Sequence, residues 1–281
     1  MKKILFVLAM VLANYFTEAQ IKTPSPSPKS TLTQMVGLTE VEINYSRPSA
    51  KGRVVFGDLV PFGKLWRTGA NENSTVSFSE DVIINGKTLA KGKYALFTTP
   101  KADTWEIIFY TTTDNWGTPE NWEETKVALR ANATPEMMDR NMESLTIGVN
   151  NLDSNFGMLE IAWEKTLVAL KFEVPTQKAA LANIEKALAG PTAGDYFSSA
   201  QYLFQSNIDV AKSLVYVNKA LDMKQEKPFW YLRLKSLIQA KTGDKKGAIE
   251  TAKLSLSAAE LAKNQDYVKM NKDSIEEWSK K

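Results

Sequence analysis

Three of the six arginines in the chain, Arg47, Arg53 and Arg67, fall within one short stretch between Tyr45 and Phe78. Guanidinium groups held close together repel one another unless an anion joins them, and their planar forks match carboxylate, phosphate and sulfate in a bidentate way. Gly52, Gly57, Gly63 and Gly69 lie in the same stretch, where they let backbone N–H groups approach a ligand closely. Trp66 adds a flat apolar face, and Asn71 both donates and accepts, as polyol recognition requires. The candidate ligand-binding set is therefore Tyr45, Arg47, Lys51, Arg53, Trp66, Arg67, Asn71 and Glu72, for a small polar, anionic or carbohydrate-like ligand.

Two other roles fit the same residues. Arg47 and Arg67 can pair with Asp58 and Glu72 to lock a long irregular connection, with Trp66 as plain core. Alternatively, Asp58 and Glu72 are the acid and base of a glycan hydrolase, which needs its two carboxyl groups to face each other across a cleft.

The composition narrows the chemistry. Cys and His are both absent from the 281 residues. That removes thiol nucleophiles, Ser-His-Asp and Cys-His catalysis, and zinc sites built on thiolate or imidazole. Any catalysis must use carboxylates, Lys, Tyr or Arg, and no cofactor is expected. Asn150, Asn151, Asp153 and Asn155 form an oxygen-rich cluster, but the glycine and terminal glutamate of a calcium-binding loop are out of register, so a hairpin turn explains it better. The formal net charge is +3, with the excess of lysine after residue 175. No aromatic-basic interleaving suggests nucleic acid.

The elements that must position these groups follow from periodicity. Val41, Ile43 and Tyr45 alternate with Glu40, Glu42 and Asn44, the pattern of a half-buried strand. Val82-Ile83-Ile84 runs into Asn85-Gly86, a strong hairpin signal because both residues tolerate positive φ. Further short strands are expected at residues 94–98, 105–110, 126–131, 145–149, 158–163 and 167–174. Residues 111–124, with Trp116 and Trp122, read as a surface loop. The pattern predicts a mostly β domain over residues 31–174, an antiparallel β-sandwich or jelly roll.

After Pro175 the period changes to about 3.6. Ala179, Leu181, Ile184 and Leu188 share one helix face, and a shift of 35 residues superposes Tyr196 on Tyr231, Asp209 on Asp244 and Leu221 on Leu256. That spacing predicts an all-α domain over residues 175–281 built from tetratricopeptide-like repeats, with a plain helical bundle as the alternative. The repeats would engage a protein partner.

The N-terminus reads as an address. Lys2 and Lys3 precede an apolar run over residues 4–13, and Thr17-Glu18-Ala19 ends in a small residue. Residues 1–19 are thus expected to be a signal peptide and the protein to be periplasmic or secreted. Residues 20–30, with Pro24, Pro26 and Pro28, form an extended Pro/Ser leader. No transmembrane segment is expected.

Tyr45-Ser46-Arg47-Pro48, Lys51-Gly52-Arg53, Phe56-Gly57-Asp58-Leu59-Val60-Pro61, Trp66-Arg67-Thr68-Gly69-Ala70-Asn71-Glu72 and Ala162-Trp163-Glu164 resemble an exported bacterial family catalogued as domain of unknown function 2911, over roughly residues 28–174. The resemblance implies an exported β domain followed by repeats and carries no activity with it. Taken together, the expectation is a non-enzymatic exported binding module. The hydrolase and a ligand-free structural envelope module stand as alternatives.

Overall fold

The computed structural model describes residues 23–280, so the expected signal peptide at residues 1–19 lies outside the described residues. Within them the chain forms ten strands followed by six α-helices, and it divides into two compact units between Thr176 and Gln177.

The first unit is two antiparallel sheets. One has the order β1 (Lys29–Val36), β2 (Thr39–Ser46), β3 (Ser74–Phe78), β6 (Gly92–Thr99), β7 (Trp105–Tyr110) and β8 (Val127–Ala133). The other has the order β5 (Lys87–Leu89), β4 (Val82–Ile84), β10 (Phe156–Glu173) and β9 (Pro135–Asn150). Alternation decides which face of each strand is inside. Val41, Ile43 and Tyr45 of β2 are buried, and they join Val76, Leu96 and Phe109 of the same sheet. Ile84, Ile147, Ile161 and Phe172 meet them from the opposite sheet in one continuous core. Asn85 and Gly86 take φ of 49° and 76° between β4 and β5, as the sequence predicts for a two-residue hairpin.

The last two strands are longer than periodicity suggests. Residues 158–163 and 167–174 read as separate strands, yet they belong to the 18-residue β10, which pairs with the 16-residue β9. The register shifts twice, around Glu164, whose φ is 54°. Across this irregularity the buried positions change from odd (Leu159, Ile161, Trp163) to even (Val168, Leu170, Phe172), so the alternation restarts and mimics a strand boundary. The first half of β9 is mostly exposed and polar and leaves no pattern to read.

Between β2 and β3 the chain runs from Arg47 to Asn73 without a named strand. It is fastened instead by single bonds to both sheets. The Ala50 N–H donates to Glu143 O at 2.7 Å, and the Leu145 N–H donates to Pro48 O at 2.9 Å. The Lys51 N–H reaches Glu143 Oε1, and the buried Val55 N–H reaches Glu164 Oε2. Trp66 and Thr98 exchange both backbone bonds, at 2.8 and 2.9 Å. A buried backbone donor needs such a partner wherever it falls outside a ladder. Gly52, Gly57 and Gly63 have positive φ and serve the turns of this connection.

The second unit holds α1 (Thr176–Ala187), α2 (Ala193–Gln205), α3 (Val210–Asp222), α4 (Phe229–Lys241), α5 (Lys245–Leu261) and α6 (Gln265–Ser279). Asp209 and Asp244, related by the 35-residue shift, occupy equivalent places: each side chain caps the helix that follows, α3 and α5. No described helix is long and apolar enough to cross a membrane.

Glu164 on the β10 bulge is one anchor of the connection, and Glu164→Ala leaves the Val55 N–H without its acceptor. We expect a stability loss of about 1–3 kcal/mol and faster native-state trypsin cleavage after Lys51 and Arg53.

Candidate functional site

The connection is built around one aromatic box. Trp66 is buried at 9% exposure and stacks on Trp163, with ring centroids 6.0 Å apart and planes at 19°. Phe56 closes the box edge-on, 4.7 Å from the Trp105 ring and 6.0 Å from Trp66. The Trp66 indole N–H donates to Gly69 O at 3.2 Å, and the Trp163 indole N–H to Glu143 O at the same distance. Trp66 is therefore core first, with one edge at the surface described next. It is not the open stacking platform that the sequence suggests.

Beside this box lies a hollow of about 410 Å³. Lys51, Arg53 and Arg67 line it, and no Asp or Glu does. Its apolar wall includes Leu59, Val60, Pro48 and the edges of Trp66 and Trp163. Arg53 spends Nε on Ala50 O and Nη2 on Ser49 O, both backbone carbonyls, which leave its charge uncompensated. Arg67 goes further. Its Nε is buried and has no hydrogen-bond partner, and no ion pair of Arg67 forms among the described residues. The next residue, Thr68, is fully buried with φ of 53°. For a β-branched residue that backbone costs roughly 1–2 kcal/mol. It is held by a bond between the Thr68 and Thr98 hydroxyls, 3.2 Å, and by the Ser74 hydroxyl donating to Thr68 O, 2.8 Å. Gly69 is required for packing against the protein itself, since an added Cβ would lie 2.7 Å from Ser74 Oγ.

The other predicted site residues go elsewhere. Arg47 does not line the hollow. Its Nε donates to Leu145 O and its Nη2 to Thr146 Oγ1, both at 2.9 Å, which pins the connection to β9. Asn71, φ 60°, donates to Ser27 O and Ser46 Oγ and so acts as a tie. Tyr45 and Glu72 line a second, smaller recess of about 220 Å³. Glu72 pairs with Lys29 at 2.8 Å. Asp58 is exposed and lines neither recess. The expected lock of Arg47 and Arg67 on Asp58 and Glu72 is thus not formed. The two acids do not share a hollow either, so the geometry of a two-carboxylate hydrolase is missing there.

Several wall residues escaped the sequence reading. Pro26 and Ser27 of the leader line the hollow, with the Arg47 N–H fixed to Pro28 O. The end of the leader is thus part of the site and not a loose approach to it. Trp163, on the long strand β10, lines the hollow as well. The only signal available for Trp163 is its place beside Glu164 in the string that carries the family resemblance. Trp116 is exposed, but Trp122 stacks on Tyr110 at 4.4 Å and helps form a small second core.

Two outcomes follow. Trp66→Ala should cost about 3–5 kcal/mol in denaturant unfolding, as for a large buried aromatic side chain. The hydrogen bond from Lys29 holds the Glu72 carboxyl below its ordinary value. Its contribution is present above the usual carboxylate range and is lost as pH falls through the lowered value. A stability–pH profile should show a small acid-side loss that Glu72→Gln abolishes.

Comparison with curated proteins and with solved structures gives no match. A family model described as "Protein of unknown function (DUF2911)" matches residues 27–172, from the leader through most of β10. It takes in the whole connection and every residue of the hollow except Pro26. With more than half of the chain matched, this protein belongs to the DUF2911 family.

Proposed function

We propose that this protein is an exported, non-enzymatic binding module whose β unit takes a small anionic ligand in the hollow formed by Lys51, Arg53 and Arg67. The observation that carries this reading is the state of Arg67: a half-buried guanidinium with a buried, partnerless Nε, on a wall without any carboxylate. A buried donor left without an acceptor costs about 1–3 kcal/mol, more when charged. An anion in the hollow would offset part of that cost for the Arg67 guanidinium. The strained Thr68 beside it fits the same reading, because backbone strain is retained where it aims a functional group.

Export rests on the basic, apolar and small-residue order of residues 1–19. The helical unit is a tetratricopeptide-like pair of repeats offering a surface to a protein partner. Its support is the 35-residue spacing and the matching cap positions of Asp209 and Asp244.

The test is titration calorimetry at low salt with acetate, inorganic phosphate and sulfate. Saturable binding that weakens as salt rises is expected. Arg67→Ala should lower affinity by about ten- to a hundredfold, the worth of a charged hydrogen bond, while the melting temperature stays within a few degrees. No binding by any of the three, or Arg67→Ala collapsing the fold, would contradict the reading.

A further inference from the structure

Charge says that the hollow takes an anion; its walls say which kind. Leu59 is 39% exposed, and Val54 and Phe62 of the same connection are 58% and 46% exposed. Of these three exposed apolar side chains, Leu59 stands in the hollow, while Val54 and Phe62 lie outside its lining. Val60, Pro48, Pro26 and the edges of Trp66 and Trp163 continue that surface around the cations. Groups suited to a sugar are already engaged. The Asn71 amide is committed to Ser27 O and Ser46 Oγ and does not line the hollow. The Ser49 hydroxyl lies 3.0 Å from that of Ser144 and bonds to it. A polyol entering here would lose bonds to water along walls of Leu, Val, Pro and Trp with little in return. A bare inorganic anion would leave most of a hollow of about 410 Å³ unfilled.

Building on the anion reading above, we propose that the ligand is an amphipathic organic acid, with a single anionic head on an apolar body. The head engages the Arg67 guanidinium where it lines the hollow and is flanked by Arg53 and Lys51. The body lies along Leu59, Val60 and the tryptophan edges. The wet, charged side and the dry side of the hollow thus read the two ends of one molecule.

The experiment is a calorimetric panel on the full-length mature protein. It compares phenylacetate and octanoate with acetate, sulfate, glucuronate and the uncharged phenylacetamide. Phenylacetate and octanoate should bind at least about tenfold more tightly than every other member, since each buried methylene or ring face adds to the same head-group contact. Leu59→Ser, at a partly exposed position, should weaken octanoate by about three- to tenfold and leave acetate unchanged. Acetate, sulfate or glucuronate binding as tightly as phenylacetate would overturn this inference and leave the anion reading standing. Equal losses for acetate and octanoate in Leu59→Ser would do the same. Failure of every anion to bind would overturn both, and phenylacetamide matching phenylacetate would show that the charge is not read at all.

Discussion

The site depends on how one unpaired segment is held. Between β2 and β3 the chain has no strand ladder to satisfy its backbone, yet it covers a sandwich whose edge aromatics need a lid. The two bonds exchanged by Trp66 and Thr98, with the Trp66 ring stacked on Trp163, do both jobs at one residue. The neighbouring ties to Glu143, Glu164, Leu145 and Pro28 repeat the device. With Trp66 buried and Thr68 strained, Arg67 has little freedom to leave the hollow it lines.

The protein shows elsewhere how it satisfies an arginine whose work is structural. Arg130 on β8 bonds to Glu106 at 2.8 Å and to Glu124 at 2.7 and 2.8 Å, with its guanidinium 5.9 Å from the Trp122 ring centroid. Arg47 is satisfied by a backbone carbonyl and a hydroxyl on β9. Arg67 differs from these two, and it shares a buried, partnerless guanidinium nitrogen with Arg233 of the helical unit, whose Nη1 is in the same state. The same chain that supplies two carboxylates to one arginine supplies none, among the described residues, to the arginine that lines this hollow. Leaving a charged donor dry and unpaired is unfavourable by more than the usual cost of a lost bond, and a ligand is the simplest compensation.

What the sequence made legible follows from which forces are local. Strand alternation in β2, the Asn85-Gly86 turn and the helical period after Pro175 are set by neighbours in the chain, and all are visible there. The density of arginine and glycine marked the connection that borders the hollow. The fate of each arginine was not legible, because it depends on partners about a hundred residues away: Leu145 and Thr146 take Arg47, while none of the described residues accepts from Arg67 Nε. Trp66 was ambiguous between core and surface for the same reason, since its partner Trp163 arrives on another strand. The leader residues Pro26 and Ser27 look like a linker in composition and become a wall only because Asn71 and Arg47 reach them. The bulge at Glu164 hid one long strand as two.

The most direct measurement is the NMR signal of the Arg67 Nε–H during titration with an organic acid. The account predicts a resonance typical of a side chain without a protein acceptor, which moves saturably as acid is added, while the Arg130 Nε–H signal stays in place. An Arg67 signal that is already that of a firm hydrogen bond, and that does not respond to any anion, would contradict it.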